Sequence, residues 1–294
     1  MLNDNLKSYL HLHFIVFVWG FTAVLGKLIS LDAMPLVWYR MFLAVGFILL
    51  YIFYKKIPLK VPKKILFGFL FAGLVIAFHW FTFFKAIKVS NISVTLACLS
   101  TGAFFASLME PLFYGRKIIW YEVCFGIIVF IGLYIIFNID GHFINGILLA
   151  LSSAFLSALF SMINGKYAKE YNPTIISFYE LLGGVFFFSV FLFFMGSFNE
   201  KFFEISNSDW FYLIILSTFC TAYAFIASVK VMKFLSPYTV MLTINLEPIY
   251  GIILAVIVFK ETENMSVNFY IGALLILSTV ILNGVLKYFK KSSK

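Results

Sequence analysis

Charge is what this chain has least of. Only 12% of its 294 residues are Asp, Glu, Lys or Arg, and 63% are hydrophobic. A water-soluble domain carries roughly 25% charged and about 45–50% apolar residues. There are too few polar side chains to cover a water-facing surface, so lipid must be the solvent, in keeping with a mean hydropathy of +1.01. Cysteine is equally sparse. Cys98, Cys124 and Cys220 sit inside apolar runs at unrelated spacings, which argues against a disulfide framework and a zinc site. No Walker motif is present, so ATP is not an energy source within this chain. With four histidines, no Ser/His pair, paired acids or metal cluster of the kind an intramembrane enzyme needs is visible. Neither catalysis, a cofactor nor a metal is expected. Long polar stretches are also missing. The longest connection, Gly196–Asp209, is too small to fold alone, and the first apolar run leads into Gly26-Lys27 and further runs instead of a cleavage site.

Phenylalanine, by contrast, is abundant at 39 residues. Base stacking would need Lys and Arg interleaved along a groove, and the run around Phe186–Phe194 has none, so these rings read as lipid-facing bulk. The net charge of +9 does not point to nucleic acid either, because the positive residues cluster beside apolar runs, as orientation signals do. Spanning ~30 Å of hydrocarbon takes about 20 apolar residues. On that criterion the chain divides into ten helical spans, near 12–30, 35–54, 65–84, 91–114, 118–137, 143–165, 173–195, 210–229, 237–259 and 266–286. With a cytoplasmic N-terminus, sixteen Lys and Arg fall inside, including Lys55, Lys56, Lys60, Lys63 and Lys64 and the C-terminal Lys287, Lys290, Lys291 and Lys294. Four fall outside: Lys85, Lys88, Lys201 and Lys260. This bias predicts both termini inside; the expected location is the plasma (cell inner) membrane.

The chain also repeats itself. A shift of 145 lays Ala86–Arg116 on Val231–Glu261 without a gap, matching Lys88 with Lys233 and Phe105 with Tyr250. Trp38-Tyr39-Arg40 corresponds to Phe178-Tyr179-Glu180, each preceded by a proline, Pro35 and Pro173. The expected units are residues 1–140 and 141–294, each of five helices. An odd number per unit gives the two opposite orientations, and inverted repeats that rock about a central site are a transporter arrangement.

Several features resemble the EamA-type members of the drug/metabolite transporter superfamily. They are Trp19-Gly20-Phe21 with Lys27, Pro35 with Arg40, His79-Trp80 with Phe84-Lys85-Ala86, and Asn245-Leu246-Glu247-Pro248 running to Phe259-Lys260-Glu261. The Leu-Gly-Glu-Arg-like turn common in the family is replaced by Tyr114-Gly115-Arg116-Lys117 and Phe259-Lys260-Glu261-Thr262. The resemblance implies an all-α integral membrane protein of ten helices in two inverted repeats. The resemblance fixes the architecture but not the substrate. One acid, one Arg and several aromatics suit a molecule with both charge signs and an apolar part, so the expected function is a secondary carrier, exporter or exchanger, of a small polar metabolite such as an amino acid. A channel or non-transporting sensor is the alternative. Partners are the solute and the bilayer, and a homodimer is compatible with the sequence.

Ionisable side chains within a bilayer cost a few kcal/mol each on insertion scales and are functional candidates by default. Glu247 lies near the middle of its span. Pro248 beside it is expected to kink the helix and free carbonyls, with Gly102 as the matching weak point in the first half. Asn245 accompanies Glu247. Arg40, roughly 7–8 Å inside the outer end of its span at 1.5 Å per residue, could bind a carboxylate bidentately, pair with Glu247 or Asp32 in a gate, or snorkel. Glu180 is expected near the inner face with Lys166 or Lys169, in a gating role alongside Lys27. His79 could relay protons or simply pack. Trp80 and Trp19 could line a cavity or belong to the interfacial belt. Glu110 is expected to pair with Arg116 or Lys117, and Gly183-Gly184 and Ser152–Ser157 to let helices pack closely.

Overall fold

A computed structural model describes residues 4–115, 117, 120–139, 143–260 and 265–292, and is helical throughout the described residues. The first half runs α1 (Asp4–Leu28), α2 (Ala33–Lys55), α3 (Lys63–Val89), α4 (Ile92–Leu99), α5 (Gly102–Tyr114) and α6 (Trp120–Ile139). The second runs α7 (Ile144–Tyr167), α8 (Pro173–Phe194), the short α9 (Glu200–Phe203) and α10 (Asn207–Ser217). It continues through a π-helical turn (Thr218–Tyr223) into α11 (Ala224–Val231), α12 (Pro237–Ile244), α13 (Glu247–Phe259) and α14 (Val267–Ser292). Among the described residues eight segments are long and apolar enough to cross a membrane, and three of these are interrupted: Ile92–Tyr114, Asn207–Val231 and Pro237–Phe259. Arg116 and Glu261 lie outside the described residues, so the expected Arg116 pairing is not addressed.

Local chemistry sets the boundaries. Asn91, Asn172 and Ser236 each accept a hydrogen bond from a backbone N–H of the following helix, at 2.8, 2.9 and 3.2 Å. These bonds satisfy donors a helix start leaves open. Gly115 ends α5 at φ 67°, a left-handed conformation that suits glycine.

The internal repeat extends to the helix interruptions. Adding 145 to α4 and α5 gives the bounds of α12 and α13, and carries the Ser100-Thr101 break onto Asn245-Leu246. Packing follows the same exchange. α1 lies against α11 and α13, as α7 lies against α3 and α5, while α2 packs on α8 and α6 on α14. Pro248 behaves differently from the expected kink. The chain breaks two residues ahead of it, and Pro248 sits in the first turn of α13, where its missing N–H costs nothing and its fixed φ favours helix.

Lipid tails are as apolar as a leucine core, so association rests on close packing and polar contacts. The α3–α8 seam is tight. A Cβ on Gly73 would stand 2.0 Å from the Glu180 carbonyl oxygen, and one on Gly183 2.9 Å from the Leu70 Cα. The expected close approach at Gly183-Gly184 is found there. Bulk aromatics face outward, Phe193 and Phe194 being 72% and 82% exposed. At one end α1 is tied to α10, because Asp209 accepts from Ser30 N at 2.7 Å and from Ser30 Oγ at 2.6 Å. Lys88 Nζ donates to the Ile29 carbonyl beside it.

Because the α3–α8 contact is backbone on backbone, Gly73→Val should destabilise the protein by about 1–3 kcal/mol or more. A thermal melt in detergent reads this. Gly46→Ala, whose Cβ would meet nothing within 4 Å, should leave the melt unchanged, and equal melts for both variants would remove the contact as a constraint.

Candidate functional site

Arg40 is 1% exposed and lies deep in the bundle. A guanidinium carries five N–H donors and no acceptor, so such burial demands oxygens around it. The π-helical turn supplies two. Arg40 Nε donates to Thr221 Oγ1 at 2.6 Å, and Nη2 to the Cys220 carbonyl at 3.4 Å. The turn widens the helix and takes its carbonyls out of the ordinary i to i+4 register, as π-turns at functional sites do. Thr221 is itself oriented by donating to the Leu216 carbonyl, five residues back, at 2.7 Å. The same Cys220 carbonyl accepts Trp19 Nε1 at 3.1 Å. The guanidinium lies over the Trp80 ring, with Cζ 3.9 Å from the centroid, and Phe84 is 5.5 Å away. One nitrogen is left over: Arg40 Nη1 is buried and has no hydrogen-bond partner among the described residues.

Beside this group lies a cavity of about 60 Å³, bounded by Trp19, Arg40, His79, Trp80, Phe160, Phe225 and Glu247, among others. That is roughly four to six times the 10–15 Å³ one water requires. Phe160 and Phe225 stack at 5.7 Å and form one wall. Glu247 is the first residue of α13, where the helix dipole favours negative charge. It is 7% exposed. Among the described residues no ion pair joins Arg40 to Glu247 or to Asp32, so the guanidinium and the carboxyl group face the same small space without a direct salt bridge. His79 Nδ1 lies 2.9 Å from the Ser153 carbonyl and 2.8 Å from its hydroxyl. A carbonyl can only accept, so Nδ1 carries the proton in the neutral ring and Nε2 is the acceptor. Ser153 Oγ donates back to the His79 carbonyl at 3.0 Å, locking α3 to α7.

Of the residues singled out from sequence, Trp19, Arg40, His79, Trp80 and Glu247 converge on this cavity. Others go elsewhere. Asn245 lines a separate pocket of about 170 Å³ with His13 and Leu277, and its Nδ2 is buried without a partner among the described residues. Gly102 is the first residue of α5, directly after the helix interruption, and an added Cβ there would stand 2.9 Å from Met241 Cε. Lys27 sits with Nζ 4.5 Å from the centroid of the Phe259 ring. Glu180 is fully buried and takes its hydrogen bond from Asn164 Nδ2 at 3.3 Å, not from a lysine; Lys166 instead lies over Phe113 at 4.8 Å. Thr221, the Cys220 carbonyl and Ser153 belong to the site without having stood out in the sequence. The polar run Ser217-Thr218 with Thr221 inside an apolar span was the available signal.

A model of the EamA-like transporter family matches the chain twice, over residues 6–138 and 144–285. The chain belongs to this family. It is a multi-pass membrane transporter of the EamA type, all-helical among its described residues. No curated protein matches the chain significantly. Among solved structures 28 chains match. One, a protein of known crystal structure, superposes with a TM-score of 0.71 at 14% identity over 95% of this chain and 98% of its own. At that identity the likeness shows the fold alone.

Removing the Arg40–Thr221 bond is expected to act through the pair. In a double-mutant cycle of Arg40→Met and Thr221→Val, thermal unfolding should reveal a coupling of about 1.5–3 kcal/mol, as for a hydrogen bond to a charged group. Strict additivity would show that the π-turn does not hold the guanidinium.

Proposed function

We propose that this EamA-type transporter is a secondary carrier, exporting or exchanging a small zwitterionic metabolite of the amino-acid kind. In this reading residues 1–140 and 141–294 form two inverted five-helix repeats. The ten spans leave both termini in the cytoplasm and lie in the plasma membrane. Alternating access comes from rocking of one repeat against the other about a central site. The observation that carries the reading is the unpaired Arg40 and Glu247 on one cavity. Arg40 comes from the first repeat and Glu247 from the second.

A substrate carboxylate would meet Arg40 Nη1, the donor that the π-turn leaves over. A substrate ammonium would meet Glu247 at the start of α13. Charge-assisted bonds of this type are roughly twice as strong as neutral ones, and a buried site of low polarity strengthens them further. The aromatic walls take the apolar part of the molecule. His79, held through Nδ1 by Ser153, would offer Nε2 as an acceptor. Interrupted helices on either side of the site, α4–α5 and α12–α13, are a recurring feature of carriers of this architecture. Lys27, Glu180 and Asn245 lie away from the cavity and serve, in this reading, the packing and gating of its flanks.

The test is uptake and counterflow in proteoliposomes with a panel of amino acids. Saturable flux that accelerates with substrate on the far side is expected; flux that never saturates would favour a channel. Glu247→Gln should abolish exchange while the folded protein remains in the membrane. Arg40→Lys should raise the substrate concentration for half-maximal flux about tenfold or more, because an ammonium cannot reproduce the guanidinium fork. Unchanged affinity in this variant would leave Arg40 with a structural role alone.

A further inference from the structure

A second and larger space lies on the opposite side of the π-turn. It encloses about 670 Å³ between α1, α2, α8 and α11, against about 60 Å³ for the central cavity. Its two ends differ chemically. The deep end is apolar and aromatic, with Phe47 and Ile48 of α2 facing Ala222 and Ile226. At the shallow end are Lys230 and Lys233, both exposed, together with Asn172, which caps α8. Among the described residues no acidic side chain lines any part of it. Between the ends His11 Nε2 meets the Tyr223 hydroxyl at 2.8 Å and bridges α1 to the π-turn.

Shape and charge together choose the occupant. From Thr218 to Lys230 the crevice follows roughly 18 Å of helix at 1.5 Å per residue, slightly more than one leaflet of a ~30 Å hydrocarbon core. A soluble metabolite would find two cations at one end and little to pair with along the apolar remainder. A molecule with an anionic head and a long apolar tail matches both ends at once. We infer that this crevice is a binding site for one anionic phospholipid, its headgroup on Lys230 and Lys233 and one acyl chain along α2 and α11. Lysines near a membrane surface attract anionic lipid individually, and the crevice adds apolar contact that a bare surface lacks. The acyl chain would rest on Ala222 and Tyr223, the back of the turn whose other face holds Arg40.

Native mass spectrometry of the full-length protein tests this without relying on transport. Detergent-solubilised protein is titrated with phosphatidylglycerol or phosphatidylcholine of matched chains. The expected result is preferential retention of phosphatidylglycerol, reduced roughly fivefold per lysine removed in Lys230→Gln and Lys233→Gln, both conservative changes at exposed positions. A Lys63→Gln/Lys64→Gln control, altered at the start of α3, should retain phosphatidylglycerol like the unaltered protein, and millimolar inorganic phosphate should not displace it. Equal retention of the two lipids, equal loss in the control, or displacement by phosphate would each overturn the assignment.

Discussion

A buried guanidinium is the constraint around which this bundle is arranged. Leaving donors of a buried charged group unsatisfied costs several kcal/mol, and lipid offers no water to make up the loss. The α-helical backbone around Arg40 has no spare acceptors, since its carbonyls are used within the helix. The π-turn resolves the conflict by a local change of register. It gives Arg40 a carbonyl and a threonine hydroxyl from the opposite half of the chain and gives Trp19 the same carbonyl. α1, α2 and the α10–α11 unit are thereby joined at one point. Contact with the Trp80 ring adds α3. Four elements meet at one side chain, of which Nη1 alone keeps no partner among the described residues, and a small cavity remains beside it.

The outline of this arrangement was legible in the sequence because it depends on length and periodic composition. Apolar runs near the helix-spanning length became helices, and a shift of 145 residues paired Gly102 with Glu247 as weak points, the positions at which α5 and α13 begin. The convergence of Trp19, Arg40, His79, Trp80 and Glu247 was also within reach, since polar groups in hydrocarbon are few and must point inward. What escaped the sequence depends on backbone register. A π-turn has no composition of its own, so apart from the polar run at Ser217-Thr218 nothing in the sequence set Thr221 and the Cys220 carbonyl apart. Pro248 was readable as a helix breaker but not as a helix starter; the distinction lies in where the preceding turn unwinds. Asn245 is two residues before Glu247, and across an interrupted helix that offset turns it toward a different pocket. Glu180 differs from expectation for a related reason. Lys166 is near it in sequence, but Asn164 on α7 is the side chain that reaches it.

Packing between the halves explains how such a bundle could hold a defined site and still move. The α3–α8 seam brings backbone against backbone at Gly73 and Gly183, so it is a close joint between the two halves. The connections that close one end, Ser30 to Asp209 and Lys88 to the Ile29 carbonyl, are polar and few. In lipid, separating two helices sacrifices their mutual packing but exposes no apolar surface to water. On the proposed rocking of one repeat against the other, the close α3–α8 glycine seam would be the pivot between them and the sparse polar ties the part that opens.

The placement of Arg40 and Glu247 bears on how a ligand could drive such a motion. Had Arg40 and Glu247 been in contact, a zwitterion would have had to break their bond before forming its own, and the exchange would return little net energy. Held apart, by the π-turn on one side and the α13 start on the other, each retains unused bonding capacity. A molecule carrying both charges would bridge the halves, and its binding free energy would depend on the distance between them. A ligand shifts a conformational equilibrium only by its differential affinity for the two states. A bridge across the interface supplies such a difference, whereas a ligand held wholly by one half would not.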